Sequence, residues 1–255
     1  MNSIIRSYNI FIVLILTVFL FLSAQASAQV SFTDNEAGFL AQNPNLVFQD
    51  FADSKVDPVQ GIVCPAPANS ESDNDCFSPG NILPGILFTN GPIEDPVNGL
   101  FLVGADFTGI GSPSGPALTQ AGQDNDFEIV IDPGVNRVGL TIGCIVKGPC
   151  DRDIQVVVFD TNNFSLGLTT VHVTSDFNTF LGISSDRLIG NISLRNVNGE
   201  FSDKGVLNVW FGNAGLNIPT LSEWGMIAAA AGLMLVGVFF AVKRLRASKQ
   251  SDAIG

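Results

Sequence analysis

Histidine and tyrosine occur once each in this sequence of 255 residues, and tryptophan only twice. With His172 as the only imidazole, no Ser-His-Asp or Cys-His arrangement can be assembled with any specificity. Basic residues are also scarce: 12 Lys and Arg stand against 24 Asp and Glu. Between Gln29 and Asn217 the balance is 7 basic to 22 acidic residues, a net charge of −15. Such a surface repels nucleic acid and anionic lipid, which excludes both as partners, and it suits solubility or cation binding. C-x2-C spacing, an EF-hand loop and glycine-rich calcium nonapeptides are all missing, so no zinc or calcium motif is written in the chain. No internal repeat and no long helical period occur between the two ends.

Four cysteines are present. Cys64 and Cys76 bracket "PAPANSESDND", and Cys144 and Cys150 bracket "IVKGP". An even count in an exported chain implies disulfides, for which three connectivities exist. The two sequence-local pairs are favoured, because each would close a polar or Gly/Pro loop. Export is expected from the first residues. Arg6 supplies a positive start, Phe11 to Leu22 an apolar run, and Ala26, Ser27 and Ala28 a small-residue cleavage site, so cutting after Ala28 leaves Gln29 first.

The middle of the chain alternates. "FTDNEAGFLAQNP" reads as one short helix, with Thr33 and Glu36 spaced as a capping box and Pro44 just past the end. Short β-prone runs follow at Leu46–Phe51, Gly85–Asn90 and Gly99–Phe107, and then "DFEIVID", "RVGLTIGCIV", "DIQVVVFD", "LTTVHVTS", "TFLGIS", "LIGNISLRNV" and "GVLNVWFG". Turn residues separate them, among them "DPGVN" and "SSD". Many short strands without intervening helices indicate an all-β, antiparallel sandwich or barrel. Val56–Asn81 and Thr108–Asp126 read as long loops.

At the far end Met226–Val242 holds 17 apolar or small residues without a charge, about 25 Å as a helix at ~1.5 Å per residue. Trp224 suits the interface, and Lys243, Arg244, Arg246 and Lys249 the cytoplasmic side. A plain stop-transfer anchor explains that run and its charges but not the string before it, Ile218, Pro219, Thr220, Leu221, Ser222, Glu223 and Trp224. Pro219 holds Ile218 extended, so a helix starts beyond it and backbone is offered at the outer interface. Ser222 and Glu223 in a first turn suit the helix dipole.

This string, a short apolar helix and "KRLR" together resemble the IPTL-CTERM sorting signal, a relative of PEP-CTERM. The resemblance implies an exosortase-like membrane enzyme of Gram-negative bacteria as partner, which removes the tail as proteins pass to the envelope. It covers about 30 residues and leaves the activity of the preceding domain open. That domain more weakly resembles PEP-CTERM-type ectodomains, in "FTDNEAGFLAQNPNLVFQDF", "CFSPGNILPGILF" and "FNTFLGISSDRLIGNISL…GVLNVWFG", which implies a jelly-roll-like sandwich similar to carbohydrate-binding modules. Leu207-Asn208-Val209 stands where such domains often carry an Ile-Asp-Asn-type run, so any calcium that an aspartate there would hold is in question.

Other residues weigh against their blander readings. His172 alternates with Val171 and Val173, which makes it a solvent-side strand residue. Asp124-Asn125-Asp126, Asp151-Arg152-Asp153 and the trio Glu71, Asp73 and Asp75 offer oxygen ligands that suit calcium, although solvated loop charge explains them as well. Trp210 is the one tryptophan available to a sugar platform, and Asn163 and Asn191 open glycosylation-type triplets that are coincidental in a bacterium. The expected organisation is a signal peptide (1–28), a β-sandwich ectodomain (29–215), a motif and linker (216–225), a transmembrane helix (226–242) and a basic tail (243–255). The expected function is that of a non-catalytic envelope or matrix protein without a cofactor, membrane-anchored as a precursor. The alternative is a carbohydrate-binding module acting on exopolysaccharide.

Overall fold

The computed structural model describes residues 30–91, 99–107, 113–121, 126–145, 150–197 and 203–213. The signal segment with Ala28, the string Ile218–Trp224, the apolar run and the basic residues Lys243, Arg244 and Arg246 lie outside the described residues. Among those described, no helix is long and apolar enough to cross a membrane.

Among the described residues, eleven strands and one helix follow each other: β1 (Val30–Thr33), α1 (Glu36–Gln42), β2 (Val47–Gln49), β3 (Gly61–Pro65), β4 (Ile86–Asn90), β5 (Gly99–Val103), β6 (Ala117–Ala121), β7 (Phe127–Ile145), β8 (Asp151–Asp160), β9 (Ser165–Thr174), β10 (Thr179–Asn196) and β11 (Asp203–Gly212). Every pairing is antiparallel. The all-β expectation holds, with the one short helix where the sequence placed it.

The organising elements are β7 and β10, of 19 and 18 residues. They pair from Thr179 opposite Ile142 to Leu194 opposite Phe127, but the register slips twice, between Ser184 and Ile189 and between Ile189 and Asn191. There the ribbon turns a corner. Asp132 and Pro133 of β7 and Asp186, Arg187 and Leu188 of β10 face solvent at the turn. "DPGVN" and "SSD" are therefore not turns between separate strands, as their composition indicated. Both strands make an excursion at the same place, so the ladder resumes beyond it, and the residues of a turn serve a bulge instead.

On one side of the corner, β7 and β10 are flanked by β4 and by β8 with β9. On the other side they are flanked by β1 and by β11, which carries β2 and the run β6-β5-β3. The two halves face one main core in a sandwich-like arrangement, with a smaller cluster of Val103, Ala117, Ile145, Phe177 and Leu207 beside it. Phe88, Phe127, Ile129, Ile192, Leu194, Val156 and Val158 come from the first half, and Val138, Leu140, Ile142, Leu181, Ile183, Val206 and Val209 from the second. Burying each such side chain contributes ~1.5–3 kcal/mol.

Polar groups pin the corner. The buried Asp160 carboxylate accepts from the amides of Asn162 at 2.8 Å and Phe164 at 2.9 Å, and it also takes Arg187 Nη2. Burial alone would raise Asp160, but those two amides and the guanidinium outweigh it and hold the carboxyl below its usual range. Gly190 is required here, since a Cβ would lie 2.7 Å from Thr161 Cα.

Both loop expectations need correction. Val56–Asn81 contains β3, and it sends Cys64, Ala68, Cys76 and Phe77 into the core. It is held by the Cys64–Cys76 disulfide and by Asn74 Oδ1, which accepts from the amides of Cys76 and Phe77 at 2.9 and 3.0 Å. Prolines masked the strand, which lies at the sheet edge, where a missing N–H is tolerated. The second loop contains β6, every residue of which is buried. Cys144 pairs with Cys150, so both sequence-local disulfides form.

The helix is capped by Asn35 rather than by the Thr33–Glu36 box. Asn35 Oδ1 accepts from Gly38 N at 3.0 Å, while Thr33 Oγ1 accepts from Asn35 N at 3.2 Å. Phe39 docks α1 onto the sheet over Gly182, where a Cβ would come within 2.6 Å of the ring and 2.8 Å of Thr33 Cγ2. Gly182→Val is expected to destabilise the protein by about 1–3 kcal/mol through overpacking, read as a fall in the urea midpoint. Adding Phe39→Ala should return part of the loss; strictly additive effects would exclude this contact as the cause.

Candidate functional site

Alternation fixes what the first half of the sheet shows to solvent. Phe88, Ile129, Ile192 and Val158 lie in register across β4, β7, β10 and β8, and all are fully buried. The neighbouring rows therefore point away from the core. One row is Leu87, Val130, Asn191 and Phe159; the other is Thr89, Glu128, Ser193 and Val157. Arg195 follows two residues further along β10.

Val130, Asn191 and Phe159 of the first row and Glu128 of the second floor a groove of about 840 Å³, within the ~300–1,000 Å³ range usual for ligand sites. Val130, Asn191 and Phe159 line its middle, Asn90, Glu128 and Arg195 one end, and Asp132, Thr161 and Asn163 the end nearest the corner. The groove owes its second wall to the tight Asp160–Phe164 turn, in which Asn163 adopts a φ of 63°.

Charge in the groove is unevenly compensated. Arg195 Nε lies 3.0 Å from Asp126 Oδ2 and donates to Ser193 Oγ at 3.1 Å, while its guanidinium sits 5.6 Å from the centroid of the Phe159 ring. Glu128 is half-buried, and that burial pushes its carboxyl above the usual range. The Asn191 amide and Arg195 offset this in part, and the Asp126 charge adds to it. The bond between Glu128 and Asn191 uses the Asn191 amide nitrogen, because Asn191 Oδ1 is buried without a partner. Asn90 Oδ1 is in the same condition. Two incompletely satisfied amides in one groove are uncommon in a segment built for stability alone.

Of the residues singled out in the sequence, Asn163 and Asn191 line the groove and Asp126 pairs with its Arg195, while His172 and Trp210 lie elsewhere. His172 is exposed, as alternation required, but it is not without partners. Nε2 lies 2.7 Å from Asp151 Oδ1 and Nδ1 3.0 Å from Asp153 Oδ1, the latter directly across the β8–β9 ladder. Spacing carried this signal, since Asp151 and Asp153 share one face of β8. Of the other carboxylates, Asp73 lies 3.8 Å from Lys55, and Asp126 pairs with Arg195. Asp124 and Asn125 lie outside the described residues. Among the described residues no three His, Cys, Asp or Glu groups are arranged to hold a metal ion. Trp210 sits on the opposite half of the sheet, half-buried between Phe48 at 5.1 Å and Phe180 at 5.9 Å. The sequence reading did not identify Glu128, Phe159 or Arg195, and it noted Asn191 only as a triplet. Their outward alternation was legible, but their convergence depends on the order β4-β7-β10-β8.

No protein-family model, curated protein or solved structure matches this chain.

The bracket around His172 sets a pH dependence. Only an imidazolium can donate from both ring nitrogens, and the hydrogen bond to Asp153, with the Asp151 and Asp153 charges, raises the His172 pKa. The folded value lies above the unfolded one. The contribution to stability is therefore full below about pH 6.5 and is lost as pH rises through the folded value. In thermal melts across that window His172→Ala should remove this component of the pH dependence. An unchanged profile would show that the bracket contributes nothing.

Proposed function

We propose that this chain is an exported, non-catalytic protein of the Gram-negative cell envelope or matrix, in which a jelly-roll-like ectodomain precedes a C-terminal sorting tail. The string Ile218–Trp224 carries the reading. Apolar length and the basic residues Lys243, Arg244 and Arg246 account for an anchor, whereas Ile-Pro-Thr-Leu-Ser-Glu-Trp has no use in a bilayer and suits a peptide held extended for an exosortase-like enzyme. Two disulfides within the β domain support folding in an oxidising compartment. Intact mass of the mature protein from its native host tests this. A chain beginning at Gln29 and ending between Ile218 and Trp224 is expected, and a chain retained through Gly255 would refute removal of the tail.

The groove favours a second reading on the same scaffold, a carbohydrate-binding module. An apolar strip of Val130 and Phe159 flanked by the polar groups of Glu128, Asn191 and Arg195 suits a sugar, whose ring has apolar faces and a hydroxylated rim. The detergent-solubilised full chain is expected to bind glycans of the host's own polysaccharide on an array, and Phe159→Ala should weaken that binding. Failure on that polysaccharide would count against this reading and leave the sorting reading intact.

A further inference from the structure

The charge pattern of the groove narrows the ligand further. Each ion pair around it is already formed: Arg195 with Asp126 and Arg187 with Asp160. Among the described lining residues two carboxylates, Glu128 and Asp132, stand without a cation in those pairs. Asp132 is exposed at the corner and solvated, but Glu128 is half-buried at the end of the floor, where its one side-chain hydrogen bond comes from Asn191. Arg195 offsets this in part, but that guanidinium is already paired with Asp126, so one cation faces two carboxylates at this end and Glu128 gains from a ligand that brings positive charge to it. A carboxylated sugar would instead set a second negative charge against Glu128, and a like-charge contact of that kind is discriminating.

We infer that the groove recognises a hydroxyl-rich ligand bearing a free ammonium, an amino sugar, with Glu128 as the partner of the ammonium and Phe159 with Val130 as the apolar floor. This rests on the carbohydrate reading of the groove. Neutral sugars occupy the same floor but leave Glu128 unmatched, and acidic sugars are rejected. N-acetylation cancels the charge while keeping the ring, so it is the modification that the site distinguishes.

The test is isothermal titration of the detergent-solubilised full chain with four oligosaccharides of equal length, made of glucosamine, N-acetylglucosamine, glucose or galacturonate, at a pH that keeps the amine protonated. Glucosamine oligomers are expected to bind at least about tenfold more tightly than the N-acetylated series, equivalent to about 1.4 kcal/mol, with galacturonate weakest. Glu128→Gln should abolish that preference, bringing the glucosamine and N-acetylglucosamine series to equal affinity, while the urea midpoint shows that the fold is kept. Added salt should shrink the preference in the wild type, a readout that needs no variant. Equal binding of glucosamine and N-acetylglucosamine oligomers, or a preference that survives in Glu128→Gln, overturns the inference while a sugar site stands. Binding to none of the four overturns the sugar site and the inference with it.

Discussion

The corner in the β7–β10 ribbon is the constraint on which the rest of the structure depends. Two strands that pass together from one half of the sheet to the other make both halves one hydrogen-bonded body and fix which face of each points inward. A slip of one residue on either side would turn Phe127, Ile129 and Ile192 outward and bring Glu128 and Asn191 into the core. The register is held at the bend itself, by the Asp160 carboxylate on its two amides and Arg187 and by the close seat of Gly190 on Thr161. A buried, fully partnered carboxylate is costly to leave unpaired, which gives the bend specificity as well as stability.

The groove follows from the same bend. Its floor is the outward face of β7, β10 and β8, and its wall is the turn that Asp160 organises, so one carboxylate serves the fold and shapes the site at once. Polar satisfaction differs sharply between the two roles. Asp160 accepts from two amides and a guanidinium, whereas in the groove beside it Asn191 and Asn90 keep buried oxygens without donors and Glu128 is under-compensated. Incomplete pairing beside complete pairing marks where the scaffold ends and recognition begins.

Much of the fold was legible because period-two alternation is a local property. The strands from Phe127 onward, the helix near Glu36 and both disulfides were readable from residue pattern alone. What failed did so for identifiable reasons. Pro65 and Pro67 hid β3, because an edge strand tolerates residues that a central one does not. Pro133 and Gly134 indicated a turn where a paired bulge stands, because the two share composition and differ only in what the neighbouring strand does. Thr33 and Glu36 had the spacing of a capping box, but Asn35 stood two residues nearer the helix and took the role. The site was less legible than the fold. Glu128, Asn191, Phe159 and Arg195 come from three strands whose adjacency is topological, and no spacing within the sequence encodes it. His172 shows the intermediate case: its exposure was local, and its two carboxylates needed the β8–β9 register.

The position of β11 has a mechanical meaning. It is the last described strand, it pairs with β7 over most of its length, and its other edge is covered by β2 and β6. A force applied through the chain beyond Asn213 therefore enters an interior strand with neighbours on both sides. Pulled along its axis, such a strand shears many ladder bonds at once instead of peeling them one at a time from an edge. Such a load would be shared between two ladders at once, whereas the groove is built on the other half of the ribbon.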